Sequence, residues 1–212
     1  MKLSPRSPNV KKATLTAITV LLASLSFTGC GGGGGPTTTQ PPSQTTPTPT
    51  GDVMDFPSGS YAHTLLLVGG NFRISWTNTD DTISIGIKAK TTGWVALAIS
   101  PTLSKSQADL IIGAVVGGQV TLVDSFDPGY SGNHPVDSNS GGTNDLYEVR
   151  GGETSGVTTI EFKRKLKTGD AKDITLVNGA NHFLFAMGPD DTMATEHGLV
   201  GTGEITITLT HP

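Results

Sequence analysis

Cysteine is almost absent from this chain: among 212 residues, Cys30 carries the only thiol. No intrachain disulfide can staple the fold, so its core must suffice, and a cysteine-based zinc site is excluded. Long hydrophobic runs are missing too. The longest, ATLTAITVLLASLSF at 13–27, falls short of the ~20 apolar residues that a spanning helix needs. Catalytic signatures are equally scarce. The five histidines (His63, His134, His182, His197 and His211) are scattered and form no HExxH pair. No GxSxG elbow, GK[ST] phosphate loop or strand–GxGxxG–helix context occurs, which leaves hydrolase and nucleotide readings unsupported. No stretch forms a convincing long amphipathic helix.

What the N-terminus does contain is a targeting pattern. Lys11 and Lys12 precede the apolar run, and Thr28, Gly29 and Cys30 follow it, the layout of a secretory signal. In SFTGC the residues before Cys30 resemble a bacterial lipobox, with Phe27 standing where a small aliphatic is usual. The resemblance implies cleavage after residue 29 and lipidation of Cys30, which would anchor the protein to a membrane by acyl chains. Gly31 follows the cysteine, so the aspartate that marks inner-membrane retention is absent, and the expected location is the cell envelope, at the outer membrane. Residues 31–51, GGGGGPTTTQPPSQTTPTPTG, are uncharged and almost free of apolar side chains. They cannot bury a core and read as a tether, loose in its Gly run and semi-stiff in its Pro/Thr half. The expected organisation is a signal peptide at 1–29, a lipidated cysteine with its linker at 30–51, and one folded head at 52–212.

Removing the signal takes away Lys2, Arg6, Lys11 and Lys12 and no acidic residue, so the formal charge falls by four, from −4 to −8. An acidic head is a poor partner for nucleic acid, whose affinity comes from neutralising phosphates.

The head reads as β throughout. In TISIGIKA (82–89), Ile83, Ile85, Ile87 and Ala89 alternate with small or polar residues, and EITITL (204–209) repeats the pattern with Ile205, Ile207 and Leu209. FRISWTN, GWVALAIS, DLIIGAVV, QVTLVDS, DLYEVR, VTTIEFKR and HFLFAMG supply further strands, with the GG of VVGGQV as a hairpin turn. GWVALAIS and HFLFAMG are apolar on both faces and belong at the centre of a double layer. The prediction is an all-β, antiparallel, immunoglobulin-like β-sandwich of about nine to ten strands.

Oxygen donors and turn residues cluster in DSFDPGYSGN (124–133), GTND (142–145) and GPDD (188–191). They could hold calcium, but they lack the spacing of an EF-hand loop, and turn formation is the simpler reading. In FKRKLKTGD, Asp170 and the following Asp173 can cap loop amides. Arg164 is read either as a solvent-facing strand residue between Lys163 and Lys165 or as a partner for a carboxylate or propionate.

Taken in order, TTGWVALAIS, ADLIIGAV, VDSFDPG, GGTNDL, TTIEFKRKLKTGD, DITL, HFLFAMG and EHGLVGTGEITITL resemble the DOMON domain over about residues 60–210. This is the β-sandwich of the cytochrome domains of secreted dehydrogenases and of dopamine monooxygenase relatives. The resemblance implies binding either of haem b or of another ligand, sugars among them. In the haem class one axial ligand is a methionine four residues before the aspartate of the ADxIIG strand, and the other is a histidine close to the last strand. His197 matches the histidine. The methionine position is occupied by Lys105, and Met187 and Met193 lie on the wrong side of the chain to match the motif.

Three arrangements follow: Lys105 ligates iron as a neutral amine, the haem is five-coordinate or completed by another residue, or haem has been lost. Walls for the slot are expected from Trp94, Leu97, Ile99, Ile111, Phe183 and Phe185, at least some of which should face it. The preferred expectation is a lipid-anchored haem-b electron carrier, not a catalyst, serving a redox partner protein in the envelope. The alternatives are a haem-free module for carbohydrate or another small molecule, and a structural domain without a small ligand.

Overall fold

The structure, a computed structural model, describes residues 53–129 and 134–210. The expected signal peptide, Cys30 and the linker to residue 51 lie outside the described residues, as does His211.

Ten strands follow one another: β1 His63–Leu67, β2 Phe72–Asn78, β3 Thr82–Ala89, β4 Val95–Ile99, β5 Asp109–Val116, β6 Gln119–Phe126, β7 Tyr147–Thr154, β8 Val157–Lys165, β9 Gly179–Met187 and β10 Leu199–Ile207. They form two five-stranded antiparallel sheets, in the orders β1-β2-β3-β8-β7 and β10-β9-β4-β5-β6. This is the expected all-β sandwich. The alternation in TISIGIKA puts Ile83, Ile85, Ile87 and Ala89 at 1% exposure or less, facing the interior from the centre of the first sheet. The second sheet answers with Val95, Leu97 and Ile99 of β4, Ile111 of β5 and Phe183 and Phe185 of β9. Gly117 and Gly118 close the β5–β6 hairpin, both with positive φ, the conformation a tight two-residue hairpin turn demands.

Two elements differ from the sequence reading. Strand β1 was not foreseen, because HTLLL shows no alternation and lies at a sheet edge with only Leu65 and Leu67 turned toward the core. The alternating pattern puts the last strand at 204–209, whereas it runs Leu199–Ile207. Its first half is glycine-rich and carries no apolar pattern, yet those glycines have a packing role. Gly201 and Gly203 pair with Phe185 and Phe183, and a Cβ at either site would lie within 2.5 Å of the partner's ring.

Arg164 is 1% exposed, so it does not face solvent among its lysine neighbours. From β8 in the first sheet it reaches across the interior to Asp109 at the start of β5 in the second, Nη1 to Oδ2 at 2.5 Å. Its Nη2 lies 3.4 Å from Asp173 Oδ2 and donates to the carbonyl of Ile174 at 3.1 Å. Asp109 also accepts the Ile174 N–H at 3.0 Å. A buried charge pair needs such extra hydrogen bonds to offset the loss of water. The Asp of ADxIIG and the Arg of the FKRKLKTGD segment are therefore one inter-sheet clamp.

Candidate functional site

The outward face of the second sheet is not the polar surface that a two-layer sandwich normally presents. Side chains alternate along each strand, so the residues between the core positions must point away from the core. Here they are Ala96 and Ala98 on β4, Leu110, Ile112 and Ala114 on β5, and Leu184 and Ala186 on β9, and they form a second apolar cluster with Trp94, Ala108 and Met193. Register assembles them into two rows across the sheet. One runs Val200, Ala186, Ala96, Ile112, Val123, and the other Leu184, Ala98, Leu110, Ser125. Alanines occupy the central strand while larger side chains flank it, which makes a trough. Its volume is about 770 Å³, within the range of small-molecule sites.

Loops stand at both ends of this trough. At the Trp94 end of β4 lies the β9–β10 connection, which brings Met193, Thr195, Glu196 and His197 to the cleft. Trp94 fastens that connection: its indole Nε1 donates to the Thr195 carbonyl at 3.2 Å, and its backbone N–H donates to Asp190 at 2.9 Å. Gly188 lies directly against the indole, where a Cβ would come 2.1 Å from Nε1. His197 is exposed and sits two residues before β10 begins.

At the Ile99 end of β4 the cleft is bounded by Lys105 and by His134 and Val136. The Lys105 loop bends through two non-glycine residues with positive φ, Leu103 and Gln107, a conformation that costs of order 1–3 kcal/mol each. Lys105 Nζ lies 3.8 Å, and His134 Nδ1 3.6 Å, from Oδ2 of the buried Asp127. Burial, followed by the Lys105 charge, holds the His134 pKa below the usual imidazole value, with Asp127 opposing. This environment favours the neutral imidazole over the imidazolium. The two ends of the trough are separated by the length of β4, four residue rises or ~13 Å.

Lys105, His197 and Trp94 thus line one cleft, although the chain separates them by up to 103 positions. The expected walls are only partly those observed. Trp94 and Phe185 touch the cleft, whereas Leu97, Ile99, Ile111 and Phe183 point into the main core. Both strands are apolar on both faces, so sequence alone did not say which alternate set faced out. In the sequence His134 is one of five scattered histidines, and its only local signal is its place after the acidic DSFDPG turn. Met193, unmatched to any motif, also reaches the cleft, on the same connection as His197.

The family model described as the DOMON domain matches residues 68–188. Mouse DBH-like monooxygenase protein 1 is 29% identical over 136 residues, which is 64% of this chain and 21% of that protein. The chain spans about a fifth of the length of the curated relatives it matches first. Among solved structures, the cytochrome b domain of pyranose dehydrogenase from Coprinopsis cinerea is 14% identical, with a TM-score of 0.48, covering 63% of this chain and 75% of that one. The cytochrome domain of Myriococcum thermophilum cellobiose dehydrogenase is 16% identical, also with a TM-score of 0.48, covering 69% and 82%.

Proposed function

This chain belongs to the DOMON domain family, and on that premise we propose that its cleft holds haem b and that the domain carries single electrons to a partner protein. The observation behind this reading is the apolar trough on the outer sheet face with an imidazole at each end. The residues fit a flat macrocycle: Ala96, Ala98 and Ala186 leave the floor low, and Leu110, Ile112 and Leu184 flank it with apolar surface. Bound there, haem supplies a one-electron iron couple whose potential is tuned by axial ligands and burial.

The residues divide the work between them. His197 would ligate from the connection that Trp94 fastens, so Trp94 acts as its positioning residue. The second ligand would come from Lys105 or His134 at the far end. An amine must lose a proton before it can ligate, whereas burial favours the neutral form of the His134 imidazole. Asp127 beside His134 Nδ1 is the kind of carboxylate that orients a metal-bound imidazole through its other nitrogen. The domain would be a carrier rather than a catalyst. A lipid at Cys30 and the tether to residue 51 would keep it near an envelope membrane and raise its effective concentration there. The head's formal charge of −8 after signal removal favours a basic partner and salt-dependent association.

A second reading, a haem-free module for a carbohydrate or other small molecule, is favoured by one feature. Lys105 stands where the family pattern has its methionine, and its ammonium faces Asp127.

Expression with haem available separates the two. A Soret band that sharpens on reduction, with resolved α and β bands, is expected for the carrier, and a colourless folded protein rules it out. His197→Ala should abolish the low-spin spectrum. Of Lys105→Ala and His134→Ala, the one that removes the second ligand should convert the spectrum to high spin.

A further inference from the structure

Five aspartates converge beside the inter-sheet clamp. Asp109 opens β5, Asp124 lies on β6, Asp137 begins the short 3-10 turn Asp137–Asn139, and Asp170 and Asp173 sit between β8 and β9. Oxygens of Asp109, Asp124 and Asp173 lie within 4.8 Å of one another, and so do those of Asp137, Asp170 and Asp173. Arg164 is ion-paired with Asp109 and Asp173, and the Lys172 charge acts on Asp170. With all five carboxylates ionised, they exceed these two cations by three negative charges.

Some of these oxygens do make turns, as the sequence suggested. Asp124 Oδ2 accepts the Asp145 N–H at 2.8 Å, and Asp170 accepts the N–H groups of Thr143 and Lys172. Turn formation does not account for the rest. Asp109, Asp124 and Asp137 are 1% exposed or less. Oδ1 of Asp109, Oδ1 of Asp124 and both oxygens of Asp137 have no hydrogen-bond partner among the described residues. A buried, unpaired carboxylate is among the costliest groups to leave bare. The backbone closes tightly here as well: a Cβ on Gly142 would meet Asp170 Oδ2 at 2.6 Å and Asp137 Cβ at 3.1 Å.

We propose that this pocket of aspartates is a structural calcium site, built from Asp137 and Asp173 with Asp109, Asp124 and Asp170 around them. All donors are oxygens, which selects a hard cation. Calcium binds oxygen at about 2.3–2.6 Å, so donors on opposite sides stand roughly 4.6–5.2 Å apart, whereas magnesium demands about 2.0–2.1 Å and a smaller ring. Oxygens held within 4.8 Å of one another can converge on one such ion, and a site furnished by several protein carboxylates suits calcium, which takes about six to eight oxygen ligands in flexible geometry, better than magnesium, which keeps several of its waters. The effect of calcium would reach the cleft, because Val136 lines the trough and the next residue is Asp137. A cation there pins the segment that carries His134.

The test starts from protein stripped with EDTA and dialysed into metal-free buffer at constant ionic strength. Calcium chloride, and separately magnesium chloride, are titrated by calorimetry, with thermal melts in parallel. The site predicts saturable calcium binding at about 1 mM or tighter, a rise in melting temperature, and magnesium at least ~10-fold weaker. Asp137→Asn should weaken calcium ~10-fold or more while leaving the metal-free melting temperature unchanged or higher, since it removes one buried charge. If that variant does not fold, Asp124→Asn provides the same comparison. Absence of saturable heat and of any melting shift in the wild type overturns the site, as does Asp137→Asn binding calcium as tightly as the wild type.

Discussion

Replacing Arg164 with methionine removes the only guanidinium of the inter-sheet clamp while keeping most of its apolar stem. Both partners are essentially inaccessible, 1% for Arg164 and 0% for Asp109, so water cannot take over from the lost group. Breaking a buried pair by deleting one member costs about 3–5 kcal/mol, most of it from the charge left unpaired. For a domain of this size each kcal/mol moves the melting temperature by about 2–4 °C. A fall of roughly 10 °C is therefore expected for Arg164→Met in EDTA, read by circular dichroism, with a matching drop in the urea midpoint. The double variant Asp109→Leu/Arg164→Met should recover part of that loss. It removes the closest pair of charges together, but leaves the Ile174 N–H without its acceptor and Asp173 and the Ile174 carbonyl without the guanidinium, at about 1–3 kcal/mol for each unsatisfied group. Burial raises the Asp109 pKa, so the single variant should be less impaired at pH 5 than at pH 8, because the carboxyl left without its guanidinium is neutralised more readily at the lower pH. A loss below about 1 kcal/mol for Arg164→Met would refute the reasoning, because it would mean that the pair is solvated.

Other outcomes follow from the same structure. Burial pushes Asp124 and Asp137 up to about 7 and Asp173 to about 6, with the neighbouring carboxylates adding to the rise. Raised carboxylate pKa values favour the folded state below the unfolded value and lose that contribution as pH climbs through the folded one. Metal-free protein should thus melt lower at pH 8 than at pH 5, and calcium should restore more stability at pH 8; equal calcium effects at both would count against the site. Gly203→Ala forces a Cβ to 2.4 Å from the Phe183 ring and should cost about 1–3 kcal/mol as overpacking, measured by urea denaturation. Cys30→Ser should abolish incorporation of labelled fatty acid in a host that processes lipoproteins; labelling that persists would remove the proposed anchor.

The fold was legible wherever the hydrophobic period was clean. TISIGIKA and FRISWTN became strands with the bounds that their patterns suggest, because a period of two leaves one register for the core face. Strand β1 and the glycine half of β10 escaped because one is an edge segment and the other packs by the absence of side chains. At the site, motif order brought His197, Lys105 and Trp94 forward, and the three do share a cleft. The floor was misassigned because β4 and β9 are apolar on both faces, and only the partner sheet decides which face is core. The acidic pocket has no signature in the sequence, since Asp109, Asp124, Asp137 and Asp173 are distant along the chain and converge only through the sandwich.

The most direct test of the cleft is a titration of the haem-free head with haem, followed by the Soret band and by quenching of tryptophan fluorescence, to which Trp94 and Trp76 both contribute, alongside Ala98→Phe. Ala98 lies in the middle of the trough between Leu110 and Leu184, so a phenyl ring there fills the floor without disturbing the core behind it. The wild type should bind one haem per chain with quenching, and Ala98→Phe should lose at least ~10-fold in affinity while melting at an unchanged temperature. Stoichiometric binding unaffected by Ala98→Phe, or no binding by the folded wild type, would contradict the placement of haem in this cleft.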